Sequence, residues 1–186
     1  MIDVSMKISV FLSYPTPHLK QQAQFIQKID EHLLDRGFSP RTLGVTDYDM
    51  DAPLKAIRRL MLESNGLITI AFRRTLVEKG AVRAGADLEG YAASPISSVW
   101  WTSPYCQIEP AMAYQLGLPV LIFREKDVIA EGLLERGVIG TYMPEFDLSK
   151  PIDAYFASDE WHDIIARWEG FVRAVVEAKG TPPKLF

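Results

Sequence analysis

The sequence predicts an α/β protein whose parallel sheet is covered by helices on both faces. Short apolar runs rich in β-branched residues alternate along the chain with longer segments whose apolar residues recur at helical spacing. The third run, Leu67–Phe72, is apolar on both faces except at Thr69, which is typical of a strand in the middle of a parallel sheet. Right-handed crossovers between five such strands fit a flavodoxin-like three-layer sandwich with strand order 2-1-3-4-5.

The first half of the chain supplies three strands and two helices. Lys7–Ser13 is apolar and β-branched, and two prolines that follow it end the strand. Apolar residues from Leu19 to Leu34 recur near a 3.6-residue period and Gly37 follows them, which predicts an amphipathic helix. The elements that come next are a weak second strand at Ser39–Leu43, an acidic loop at Gly44–Pro53, a helix from Leu54 to Ser64 and the third strand.

The second half begins with a long connection, Arg73–Thr102, that is rich in Gly, Ala and Ser. Its length predicts an insertion in the form of a lid, a small helix near Val82–Tyr91 or a partly disordered segment. The elements predicted after it are a helix at Ser103–Leu116, a strand at Val120–Phe123, a short helix at Ala130–Arg136, a last strand at Gly140–Met143, a helix at Asp159–Lys179 and a frayed tail at Gly180–Phe186. Residues 1–186 are expected to form one domain.

Composition excludes several classes of function. The chain has 186 residues and a net charge of -4, and it has no basic stripe, so nucleic acid is not an expected partner. The single Cys106 cannot form an internal disulfide, which favours a reducing compartment. No apolar run approaches the roughly 18 residues of a membrane span, so we expect a cytoplasmic protein without a membrane partner.

The predicted topology places a ligand at the carboxyl ends of the strands, where the strand order reverses between the first and the third. The segments that meet there are Ser13–His18, Gly44–Pro53 and the chain from Arg73 to the helix near Ser103. No GxGxxG or GxxxxGK[ST] motif occurs in the sequence, so neither a Rossmann dinucleotide site nor a P-loop is predicted.

Glu109 is the candidate catalytic residue. With Ser103 as N-cap and Pro104 as the first helical residue, Tyr105 and Glu109 lie on one face of a helix, near its positive end. Pro110 predicts a kink or a later helix start. A carboxylate flanked by Trp100, Trp101 and Tyr105 has the equipment to stabilise a developing cation while aromatic rings stack a base, which is the chemistry of breaking a ribosyl–nitrogen bond.

Two motifs give the chain a family resemblance over roughly residues 6–148. Residues 11–14, Phe-Leu-Ser-Tyr, and residues 103–109, Ser-Pro-Tyr-Cys-Gln-Ile-Glu, resemble the first-strand and helix-start motifs of bacterial Toll/interleukin-1 receptor (TIR) domains. The resemblance implies an NAD-cleaving enzyme in which Glu109 engages the nicotinamide ribose and Tyr105 lines the pocket. It also implies self-assembly, a role in antiphage defence, and a product that is ADP-ribose or a cyclised or transferred form of it. NAD is then the substrate, and no other cofactor and no metal is expected.

The candidate substrate-binding residues lie around this glutamate; they are Ser13, Tyr14, Phe72, Arg73, Trp101 and Tyr105. The chain departs from the TIR pattern after Tyr14, where Pro15-Thr16-Pro17 replaces the usual basic residues. Arg73 and Arg74 are the candidates to supply that charge instead. Tyr105 stands where the family commonly has Trp, and it keeps stacking possible.

Two alternative functions stay open. The Glu109 helix, with its alternating alanines and its Gly117-Leu118-Pro119-Val120 ending, is similar to the nucleophile helix of nucleoside 2-deoxyribosyltransferases, which implies a transferase or a nucleotide N-ribosidase. The other alternative is a non-catalytic TIR-like interaction module. Structural roles are expected for Cys106 as a small buried residue and for Asp47, Asp49 and Asp51 as a solvated turn.

Overall fold

The computed structural model describes residues 7–139 and 142–178, and they form a three-layer α/β sandwich. The strands are β1 (Ile8–Ser13), β2 (Phe38–Arg41), β3 (Leu67–Ala71), β4 (Thr75–Val82), β5 (Ser94–Trp101), β6 (Val120–Glu125) and β7 (Glu145–Phe146). The helices are α1 (Lys20–Asp35), α2 (Pro53–Leu62), α3 (Tyr105–Gln115), α4 (Ile152–Phe156) and α5 (Asp159–Glu177), with a 3-10 turn at Gly132–Leu134.

The main sheet has the order β2-β1-β3-β6-β7, and all its neighbouring strands are parallel. This confirms the predicted order 2-1-3-4-5 and the flavodoxin-like fold, since β4 and β5 belong to a separate two-stranded sheet. The connection that follows β1 leads toward one edge of the sheet, and the connection that follows β3 leads toward the other edge. The strand order therefore reverses between β1 and β3, which is where such sheets bind ligands.

The core lies on both faces of this sheet, and every residue of β3 is therefore buried. On one face, Ile68 and Ile70 pack with α1 and α5 through residues such as Phe25 and Trp161. On the other face, Leu67 packs with Ile57 of α2 and Ala113 of α3, among others. The helix predicted at Asp159–Lys179 is α5, which buries Trp161, Ile165, Trp168 and Val172, whereas Phe171 is 64% exposed.

The insertion 73–102 is an antiparallel β-hairpin and has no helix near Val82–Tyr91, where the chain turns. Its two strands pair from Thr75–Trp101 at the base to Val82–Ser94 near the tip. The base is attached to the domain by two backbone bonds, from Trp100 N–H to the Asp127 carbonyl (3.3 Å) and from Ile129 N–H to the Trp100 carbonyl (2.9 Å). Most hairpin side chains are exposed on both faces, so the strands lack the alternating apolar pattern that identifies a half-buried strand.

Two smaller predictions about elements are wrong in detail, and one helix was missed. The last strand is Glu145–Phe146 rather than Gly140–Met143, because Arg124 and Glu125 of β6 pair with these two residues. Of the predicted strand, 142–143 is irregular, and 140–141 lies outside the described residues, as do 179–186 with the predicted tail. The predicted helix Ala130–Arg136 is reduced to the 3-10 turn, and α4 had not been predicted.

No helix within residues 7–139 and 142–178 combines the length and the apolar character that crossing a membrane requires.

Candidate active site

A cavity of about 410 Å³ opens at the carboxyl ends of β1 and β2, next to the start of α3. Its walls come from residues 14–16 after β1, Leu43 after β2, Pro53 and Ile57 of α2, Arg74 after β3, and Ser103, Tyr105 and Glu109 around the start of α3. We refer to it below as the switch-point pocket, because it lies where the strand order reverses. The sequence predicted a ligand site at this position from topology alone.

Glu109 lies in the wall of this pocket and is only 7% exposed. The Ser13 hydroxyl, at the end of β1, donates a hydrogen bond to Oε2 of its carboxylate. Burial raises the pKa of Glu109 from 4.5 to about 7, and the hydrogen bond from Ser13 partly opposes that rise. Near neutral pH the carboxyl group therefore exists in both its ionised and its protonated form.

The local sequence of α3 explains why Glu109 faces inward. The helix begins at Tyr105, and Cys106, Glu109 and Ala113 form its buried stripe at i, i+3 and i+7. The Ser103 hydroxyl accepts a hydrogen bond from the Tyr105 backbone N–H (3.3 Å) at the helix start. The cap residue is Pro104 rather than Ser103, and the helix continues through Pro110 instead of starting late.

Two aromatic rings lie in the pocket beside the carboxylate. Tyr105 is 39% exposed and lies one helical turn before Glu109, while the half-buried Tyr14 follows directly after Ser13. Burial raises the pKa of the Tyr14 hydroxyl, so this group is neutral at physiological pH. The two rings provide apolar surfaces on which a heterocyclic base can stack.

The other three predicted binding residues lie away from the switch-point pocket. Phe72 is 1% exposed and packs in the core against Phe25 and Phe146. Trp101 donates from Nε1 to the Glu131 carboxylate (2.8 Å) and lines a separate cavity of about 370 Å³ on the other side of the α3 start. The structure therefore brings together Ser13, Tyr14, Tyr105 and Glu109, and it does not bring Phe72 or Trp101 to them.

Arg73 also turns away from the pocket, and Arg74 takes its place there. The Arg73 guanidinium donates to the Asp127 carboxylate (2.6 Å) and to the Lys126 carbonyl (2.7 Å). Arg74 lines the pocket instead. The sequence showed two adjacent arginines but not which one faces the ligand, because the groups that bind Arg73 come from a segment fifty residues further along the chain.

Three further groups near the pocket have structural roles. Cys106 is buried, and burial raises the pKa of its thiol to about 12, so it is not a nucleophile at neutral pH. In the acidic loop, Asp47 pairs with Arg41 (2.5 Å) and Asp49 with Arg59 (2.9 Å). These ion pairs fix the loop between Leu43 and Pro53, two residues of the pocket wall.

Within 7–139 and 142–178, no three His, Cys, Asp or Glu residues are grouped so as to hold a metal ion.

A larger cavity of about 530 Å³ lies at the amino-terminal end of β6, between Pro119 and a side of α5 that includes Ile164 and Trp168. Its polar groups include Glu160, whose carboxylate accepts a hydrogen bond from the Tyr142 hydroxyl. We take the switch-point pocket as the candidate active site in spite of its smaller volume. It contains a buried carboxylate with a raised pKa at the end of the sheet where ligands bind.

No protein-family model matches this chain. No curated protein matches it either. Among solved structures, the CMP N-glycosidase BcmB of Clostridium botulinum is similar with a TM-score of 0.49 and 14% identity, over 84% of this chain and 98% of that chain. The TIR domains of the activated Roq1 resistosome, which recognises the pathogen effector XopQ, are similar with a TM-score of 0.41 and 13% identity, over 94% of this chain and 86% of that chain.

Proposed function

We propose that this chain cleaves the N-glycosidic bond of a nucleotide, with NAD as the first candidate substrate and Glu109 as the catalytic residue. The observation that carries the proposal is the buried Glu109 carboxylate, which accepts a hydrogen bond from Ser13 and lies beside Tyr14 and Tyr105. Such a carboxylate can contact a ribose while the base stacks on an aromatic ring.

The proposed reaction uses the carboxylate as an electrostatic stabiliser. The bond between C1′ of the ribose and the nicotinamide nitrogen breaks, and its electron pair leaves with nicotinamide, which becomes neutral. The ribose is left as an oxocarbenium-like cation that ionised Glu109 stabilises. Water then adds at C1′ and releases a proton, which gives ADP-ribose, or a hydroxyl or amine of an acceptor adds in its place. The proposed cleavage calls for no metal or redox group.

Glu109→Gln tests this proposal directly. The substitution preserves shape and removes the negative charge, and a positioned carboxylate commonly contributes about 10²–10⁴-fold to the rate. We expect the rate of nicotinamide release from NAD to fall by at least about 100-fold. Mass spectrometry of the products measures this rate. Glu177→Gln near the end of α5 removes the same charge from an exposed site and should leave the rate unchanged.

A variant Glu109→Gln that is folded and keeps more than about a tenth of the wild-type rate overturns the assignment of Glu109. Release of no base from NAD, nucleotides or nucleosides by the wild-type protein would favour the non-catalytic interaction module. Sedimentation of the same sample then tests the self-assembly that such a module requires.

The second candidate function is cleavage of nucleosides or their monophosphates, including transfer of the sugar. The burial of Glu109 favours it. Burial raises the pKa of this carboxyl to about 7, so the protonated form can donate a proton to a neutral leaving base at neutral pH. The nicotinamide of NAD is already cationic and needs no such proton. The pH dependence of kcat/KM separates the two, because NAD cleavage should rise to a plateau above about pH 7 and cleavage of neutral bases should fall there.

The antiphage role is part of the proposal for NAD. It predicts that cellular NAD falls during phage infection in cells with the wild-type protein and stays constant in cells with Glu109→Gln.

A further inference from the structure

The two arginines that follow β3 have opposite surroundings. The Arg73 guanidinium is bound to Asp127 and to the Lys126 carbonyl, and it lies over the Trp100 ring at 5.8 Å from the ring centroid. The Arg74 side chain is exposed and lines the switch-point pocket. In the part of the chain that the structure describes, no carboxylate forms a salt bridge with Arg74, so its charge is available to a ligand.

Buried groups fix the backbone that carries Arg74. The Arg73 N–H donates to the Glu125 carboxylate (2.8 Å), and the Arg73 carbonyl accepts from Gln22 Nε2 (3.2 Å). Gln22 is 0% exposed and Glu125 is 3% exposed. Two buried polar side chains therefore form hydrogen bonds with the backbone of Arg73. The Arg74 N–H donates to the Trp101 carbonyl (3.0 Å) at the hairpin base. Arg74 is therefore an exposed side chain on a preorganised backbone.

Glu109 does not use the charge of Arg74. Its pKa is set by burial and by the hydrogen bond from Ser13, and no ion pair joins it to Arg74. The same pocket wall also includes the neutral residues Ser103 and Tyr105. The pocket thus has an acid and a cation that act separately. A guanidinium presents a rigid fork of donors that matches the oxygens of a phosphate.

We propose that Arg74 binds the 5′-phosphate of the ribose whose glycosidic bond is cleaved, so that the pocket selects nucleotides over nucleosides. The inference rests on the proposed function, because it places C1′ of that ribose at Glu109 and its phosphate at Arg74. NAD and a nucleoside 5′-monophosphate share this phosphate, so both fit the same chemistry. Nucleosides lack the group and leave Arg74 unpaired.

Arg74→Ala tests this inference in the active protein. We expect kcat/KM to fall about 10–100-fold for NAD or AMP, whichever is cleaved, since a charge-assisted hydrogen bond is lost. For adenosine the change should stay below about threefold. Arg136→Ala removes the same charge from an exposed residue outside the pocket wall and should change neither value. An equal loss on the phosphorylated and the unphosphorylated substrate, or no loss on either, overturns the role of Arg74.

A binding experiment keeps this test separate from that of the proposed function. Calorimetry of the Glu109→Gln variant with AMP and with adenosine measures binding affinity and does not require turnover. We expect AMP to bind more tightly than adenosine, and Arg74→Ala in the same background to remove about 10-fold or more of the AMP affinity. Equal affinities for AMP and adenosine, or an unchanged AMP affinity after Arg74→Ala, contradict the inference even if the wild-type protein cleaves NAD. A different result is that the wild-type protein releases no base while AMP still binds more tightly than adenosine and Arg74→Ala still weakens AMP binding. That result contradicts the glycosidase proposal and leaves the role of Arg74 standing.

Discussion

Ser13 is the residue that adjusts the charge of Glu109. Its hydroxyl donates to the carboxylate and favours the ionised form, so it lowers a pKa that burial has raised. Ser13→Ala should therefore move the pKa of Glu109 further above 7. If ionised Glu109 cleaves NAD, the rising limb of the pH profile of kcat/KM moves to higher pH, while the plateau changes less.

The control for this prediction lies in the same strand. The Ser9 hydroxyl is buried and has no hydrogen-bond partner among the described residues, so it does not bond to Glu109 as Ser13 does. Ser9→Ala should leave the midpoint of the profile where the wild-type protein has it. A midpoint that stays fixed or moves to lower pH in Ser13→Ala would show that the hydroxyl does not stabilise the carboxylate.

Residue by residue, the site was predictable where local spacing decides it. Glu109 and Tyr105 follow from four-residue helical spacing, and Ser13 and Tyr14 follow from the end of β1. The orientation of Arg73 depends on Asp127, and that of Trp101 depends on Glu131, both from a distant segment. No pattern within a few residues contains these contacts, so the sequence could not separate Arg73 from Arg74.

The junction of β3 and α5 depends on a glycine that has no room for a side chain. A Cβ on Gly66, just before β3, would lie 2.6 Å from Cγ2 of Val172 and 3.1 Å from the Trp168 ring. Both side chains belong to the buried face of α5. Gly66→Ala should therefore lower the free energy of unfolding by about 1–3 kcal/mol, the usual range for overpacking a core. Urea denaturation measures this change.

Gly170 provides the matched control within α5. A Cβ there has nothing within 4 Å, and Ala is the better helix former. Gly170→Ala should raise the free energy of unfolding by about 0.5–1 kcal/mol. Equal effects of the two substitutions would mean that the close approach at Gly66 relaxes at no cost.

The elements were predictable where their residues face the core. β1 and β3 are apolar runs, and the helices α1 and α5 show apolar residues at helical spacing. The positions of these four elements agree with the prediction to within a few residues. Most side chains of the hairpin of β4 and β5 are exposed on both faces, and its two strands are joined by backbone pairing. Exposed strands leave no periodic apolar signal, and for this reason the sequence left the insertion open among three other forms.

For the whole molecule, the topology was predictable because few arrangements satisfy its constraints. Alternation of strands and helices, with right-handed crossovers, leaves few ways to order five parallel strands. The same topology locates the pocket, since the reversal between β1 and β3 fixes where a ligand can enter. It does not fix the charge in the pocket, which depends on burial of Glu109 and on the direction of Arg74.

The stability of the whole molecule should record the cost of burying Glu109. The native protein holds the proton of this group up to about pH 7, while the unfolded chain loses it near pH 4.5. Between these values the native state binds more protons, so the contribution of Glu109 to stability falls as pH rises and is lowest above pH 7. A shift from 4.5 to about 7 corresponds to about 3–4 kcal/mol. Glu109→Gln lacks this loss, so in urea denaturation its stability relative to the wild-type protein should increase from pH 4.5 to pH 8.

Other carboxyls, such as Glu125, are common to both proteins and cancel in the comparison. A difference that stays constant with pH, or that increasingly favours the wild-type protein, would mean that Glu109 is ionised in the native state throughout this range.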